Sequence, residues 1–96
     1  MRKQKAEQVG TLIHQFLREE GLETPYNEFR IIESWPEVMG QGIAKLTSSL
    51  QIRDCVLYVR LRSSVLRQEL MASRRQLARR LNDYVGAQVI ENIIFF

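Results

Sequence analysis

Ninety-six residues make one domain at most, and 45% hydrophobic with 26% charged side chains is a globular composition, not a disordered one. So small a core leaves little room for an enclosed active site, no apolar run approaches a membrane span, and a single cysteine excludes an intrachain disulfide. The net charge of +3 conceals a division: from Glu19 to Glu37 six acids stand against one base, whereas from Arg53 to Arg80 eight arginines stand against two acids, a local net of +6.

In chain order, Val9, Leu12, Ile13, Phe16 and Leu17 form an amphipathic stripe, which predicts a helix over residues 5–20 with Gly21 as its left-handed cap. Thr24-Pro25 restarts a helix, with Thr24 as N-cap and Pro25 at the first helical position; Phe29 and Ile32 are its apolar positions. Ser34-Trp35-Pro36-Glu37 reads as a capping box that opens a short third turn, ended by Gly40 and Gly42.

The hydrophobic period then changes to two. Leu46, Leu50 and Ile52 share one side of a first strand; Cys55, Leu57, Val59 and Leu61 share one side of a second, with Val56, Tyr58, Arg60 and Arg62 on the other. With Asp54 in a tight turn, the two runs predict a hairpin with a core side and a polar, basic side. Ser63 or Ser64 caps one long helix carrying Leu66, Leu70, Leu77, Leu81 and Val85, closed by Gly86. Val89 to Phe96 is a last strand, placed parallel to its neighbour by the helical crossover before it. The fold class expected is α+β, in two layers with the order α-α-β-β-α-β and a three-stranded mixed sheet with helices on one face.

Catalytic chemistry is not suggested. His14 is the only histidine and has no acid or nucleophile at a useful spacing; with one cysteine it makes no zinc site. Cys55, on the core side of its strand, is expected to be a small buried hydrophobe. Gly40-Gln41-Gly42 follows no strand and is no phosphate-binding fingerprint. Trp35 is expected as a core anchor. No cofactor or metal is expected. The N-terminal charges have no apolar segment behind them, so no signal peptide is read there, and the cytoplasm is the expected compartment.

Two basic surfaces emerge. On the outer hairpin side Arg60 and Arg62 flank Tyr58, with Lys45 and Arg53 beside them, and an aromatic among arginines suits stacked bases and phosphates. On the long helix Arg67, Arg74, Arg75 and Arg79 lie beside or opposite the leucine stripe and are assigned to a protein partner, where arginine is also over-represented.

Trp35, Val38, Gly40, Ile43-Ala44, Thr47, Leu57-Tyr58-Val59, Ser63-Ser64, Glu69-Leu70, Leu77, Leu81-Asn82, Gly86 and Ile93-Ile94-Phe95 together resemble the DciA-like family. The resemblance covers about residues 29–96 of a single domain, 1–96, preceded by the N-terminal helix. It implies a fold like the K-homology nucleic-acid-binding domain. The function it implies is recruitment or loading of the bacterial replicative helicase together with weak, salt-dependent DNA binding. Many members carry an aromatic where this chain has Leu66. Two other readings stand beside it: an RNA-binding K-homology-like module, and an adaptor whose arginines meet an acidic protein. K-homology domains that grip RNA use a Gly-x-x-Gly loop between helices, and its absence here favours DNA.

Overall fold

The computed structural model describes residues 12–96. Helix α1 covers residues 12–19; the earlier part of the expected helix, with Val9, lies outside the described residues. There follow α2 (Glu23–Met39), α3 (Gln41–Lys45), β1 (Thr47–Arg53), β2 (Val56–Leu61), α4 (Ser64–Ala72), α5 (Arg74–Val85) and β3 (Asn92–Phe95). The sheet order is β1-β2-β3, with β1 antiparallel and β3 parallel to β2, so the α+β class and the mixed three-stranded sheet are as expected.

Period-two alternation puts Leu57, Val59 and Leu61 of β2 and Ile93 and Phe95 of β3 on one buried face. Against it pack Ile31 and Trp35 of α2 and Leu77, Ala78, Leu81 and Val85 of α5, with Leu66 and Leu70 of α4 at the margin. Two arginines tie α2 to α5. Arg30 donates to the Val85 carbonyl at 2.8 Å, and Arg80 donates to the Val38 carbonyl at 3.1 Å, which sets the helices antiparallel.

Several local expectations are corrected. Helix α2 starts at Glu23, with Leu22 in the cap position and no side-chain cap. Pro25 is therefore its third residue, where the missing N–H is still one that no helical carbonyl would accept. Ser34-Trp35-Pro36-Glu37 opens no new turn, because α2 runs straight through it. Ser34 Oγ donates to the Ile31 carbonyl at 2.8 Å, and burial of Ile31, Ser34 and Trp35 along one face outweighs the cost of an interior proline. The break comes instead at Gly40, whose φ of 89° and ψ of 161° fall in a region open essentially to glycine alone, and Gly42 lies inside α3. Leu46 precedes β1 and is exposed; a register irregularity between Thr47 and Ser49 leaves Leu50 and Ile52 to carry the inner side.

Cys55 is not in the core. The hairpin closes on a two-residue turn, Asp54 and Cys55, both with positive φ (52° and 63°), and Cys55 is exposed. Such a turn matches the twist of the flanking strands, so hairpin geometry overrides the alternation that counted Cys55 inward. The long helix is two helices. Ser63 caps α4, accepting from the Leu66 N–H at 3.2 Å, and the path breaks at Ser73. The break lets α4 lie over β2 and β3 while α5 pairs with α2 and β3. Finally, β3 starts at Asn92 rather than Val89. The buried Asn82 side chain takes the Val89 and Ile90 N–H groups (3.0 and 3.1 Å) and donates to the Ile90 carbonyl (2.8 Å), so those groups are not free for a ladder.

Candidate nucleic-acid interface

All the packed helices lie on the inner side of the sheet, so its outer side carries only strand side chains. Pairing places Arg53, Val56 and Asn92 in one row across it, and Gln51, Tyr58 and Ile94 in the next. Ser49 and Arg60 begin a third row, which Phe96 completes: its N–H donates to the Val59 carbonyl and its carbonyl accepts from the Leu61 N–H, both at 2.9 Å. These three rows contain no acidic side chain.

Two arginines lie against aromatic rings on this face. The Arg53 guanidinium is 5.5 Å from the centre of the half-buried Tyr58 ring, and that of Arg60 is 5.9 Å from the Phe96 ring, which is 48% exposed. Neither guanidinium is engaged by a carboxylate among the described residues. An arginine over an aromatic face keeps a positive charge beside a flat apolar surface, and the two together match a base and its phosphate.

The expected outer-face residues do not all converge. Arg53, Tyr58 and Arg60 do. Arg62 is exposed, but its guanidinium donates to the Lys45 carbonyl, so Arg62 and Lys45 form a tied corner beyond the last row. Phe96, Ile94, Gln51 and Asn92 complete the face and escaped the sequence reading. The shared parity of Ile94 in β3 and Phe96 just after it is legible in the sequence, but their alignment against Tyr58 and Arg60 depends on a parallel register fixed by the crossover.

The second set is likewise divided. Arg74 is half-buried and donates to the Met71 carbonyl at 3.1 Å, capping the end of α4. Arg67 is half-buried, with its Nε fully enclosed and unpartnered. Only Arg75 and Arg79 stand exposed, one turn apart, on the wall of a cleft of about 400 Å³ between α5 and residues 88–92. The α4–α5 junction is Ser73 alone, with no glycine.

Trp35 is the core anchor expected: 1% exposed, its Nε1–H donates to Thr47 Oγ1 at 3.0 Å, and its ring centre lies 6.3 Å from that of Phe95. Elsewhere the apolar surface is less tidy. Leu12, Ile13 and Phe16 of α1 are exposed, as are Leu22, Tyr26 and Phe29. The last three follow helical spacing on the side of α2 opposite Ile31, so this helix carries apolar residues on two faces.

The profile of the family described as Dna[CI] antecedent, DciA, matches residues 8–95. The chain belongs to the DciA family. That family is associated with loading of the replicative helicase in bacterial DNA replication and is not a known enzyme family. No curated protein matches the chain. Among the described residues of this DciA-family domain, no helix is long and apolar enough to cross a membrane.

Proposed function

We propose that this DciA-family domain is a non-catalytic module that binds DNA on its open sheet face while holding the replicative helicase on another. The observation that carries the reading is the helix-free, acid-free outer face with Arg53 against Tyr58 and Arg60 against Phe96. A single strand laid across it stacks bases on the two rings, and the guanidiniums turn to the phosphates. Stacking contributes about 1–3 kcal/mol per base, and each phosphate contact adds salt dependence. Weak binding that falls as salt rises is the expected behaviour of two or three such contacts. The absence of a glycine at the Ser73 junction supports DNA over RNA. The exposed apolar side of α1 and α2, with Leu12, Ile13, Phe16, Leu22, Tyr26 and Phe29, is assigned to the helicase, because an unsealed apolar face of this kind suits a protein partner.

The test is fluorescence anisotropy of a labelled single-stranded oligonucleotide at one fixed salt. Arg53→Gln with Arg60→Gln should weaken binding by at least tenfold, and Tyr58→Ala by a similar factor, in proteins whose circular dichroism is unchanged. Equal affinity of wild type and both variants refutes the sheet-face site. Tighter binding of the matched RNA strand overturns the preference for DNA.

A further inference from the structure

We infer that the cleft between α5 and residues 88–92 is an anion site for the backbone phosphate of the same strand, so that the DNA path runs off the sheet face and over the β3 edge onto α5. This inference rests on the sheet-face reading. Three observations lead to it.

The first is uncompensated charge. Arg75 and Arg79 are like charges one turn apart on one wall of the cleft, an arrangement that weakens a helix on its own. No carboxylate among the described residues pairs with either, although Glu91 stands on the opposite wall. The second is an unsatisfied group. Asn92 lines the same cleft, and its Oδ1 is enclosed with no hydrogen-bond partner. An enclosed amide acceptor is satisfied by an ordered water, whose second hydrogen can donate to a phosphate oxygen, and the protein itself supplies no donor there.

The third is continuity. Asn92 is also a member of the outer sheet face, in the row with Val56 and Arg53. Glu91 N–H donates to the Cys55 carbonyl at 2.7 Å, which fastens the far wall of the cleft to the hairpin turn that follows Arg53. The sheet face and the cleft therefore meet at Asn92 and the turn. Chemistry selects the ligand. The apolar cleft residues Ala78 and Ile90 are themselves buried, so the surface offered is Arg75, Arg79, Gln88, Glu91 and Asn92, which suits a hydrated phosphate better than the apolar anchor of a protein partner. Glu91 repels the phosphate from its own wall and leaves it on the α5 side, where both guanidiniums reach it.

The experiment compares Arg75→Gln with Arg79→Gln against wild type and the Arg53→Gln, Arg60→Gln variant, by anisotropy with single strands of increasing length over a salt series. The cleft variant should bind a strand just long enough for the sheet face as wild type does. It should bind a longer strand several-fold more weakly, with a salt slope reduced by about 0.7, the value for one phosphate on a single strand. A cleft variant indistinguishable from wild type at every length overturns the inference and leaves the sheet-face reading intact. Loss in the cleft variant alone, with the sheet variant unaffected, refutes the sheet-face reading instead. A cleft variant that keeps its DNA affinity but loses the helicase assigns the cleft to an acidic protein surface and overturns the inference.

Discussion

Asn82→Ala should be among the most damaging single substitutions in the domain, although it removes no apolar contact. The side chain is 5% exposed and makes three hydrogen bonds to the segment before β3, at 2.8, 3.0 and 3.1 Å. Alanine leaves the Ile90 N–H and carbonyl, both buried, and the part-buried Val89 N–H without partners. Each enclosed group left unpaired costs about 1–3 kcal/mol, so the two at Ile90 set a range of about 2–6 kcal/mol. Asn82 also lines the cleft beside Arg75 and Arg79, through which water reaches part of the vacated site, and this favours the lower half, about 2–4 kcal/mol. Against the 5–15 kcal/mol typical of a folded domain that is a large fraction. Urea denaturation should show a lower midpoint with unchanged slope, and the Val89 and Ile90 amides should lose hydrogen-exchange protection before the rest. A loss below about 1 kcal/mol with both amides still protected would show that the loop is held by something other than this side chain.

The hairpin turn offers the opposite sign. Cys55→Gly at φ 63° should stabilise the domain by about 1 kcal/mol, read as a rise in Tm, since glycine takes the left-handed conformation without strain; an unchanged or lower Tm refutes this. Leu77→Ala should cost about 2–5 kcal/mol and the half-buried Leu70→Ala about half as much, by urea denaturation, and equal losses would contradict the placement of α4 at the margin of the core. Phe16→Ser with Phe29→Ser should abolish helicase co-purification while leaving oligonucleotide affinity and stability near wild type, because both rings are more than half exposed. Retained helicase binding would move the partner surface elsewhere.

Much of the architecture was legible because it follows from two periodicities. Leu57, Val59 and Leu61 alternating with Tyr58 and Arg60 mark a strand with one core side, and Leu77, Leu81 and Val85 mark the inner stripe of a helix. What was not legible depended on tertiary competition. Pro36 marks a helix start by local rules, yet burial of Ile31 and Trp35 on one face keeps α2 continuous. Nothing at Ser73 announces a break, because the break serves two separate packing partners. Cys55 followed the alternation correctly up to the turn, where chain reversal took precedence. In the candidate site, Tyr58 and its arginines could be read from β2 and the turn alone. Phe96 and Asn92 needed the parallel register, and the separation of exposed Arg75 and Arg79 from the half-buried Arg67 and from Arg74 and Arg80, which are bound to carbonyls, needed burial and hydrogen-bond partners that no periodicity encodes.

The parallel pairing of β3 with β2 also bears on how the domain acquires its structure. The β1–β2 hairpin is local and can close within microseconds, but alone it leaves Leu57, Val59 and Leu61 bare, and an isolated two-stranded hairpin is marginal in water. Val56 meets Asn92, and Val59 meets Phe95, only after the whole of α4 and α5 has been bridged. The entropy of closing that span is lost before any β3 contact rewards it. The rate-limiting step of folding should therefore be docking of the crossover and β3 onto a preformed hairpin. Substitutions at Ile93 or Phe95 would then act mainly on the unfolding rate, and those at Leu57 or Val59 would also slow folding.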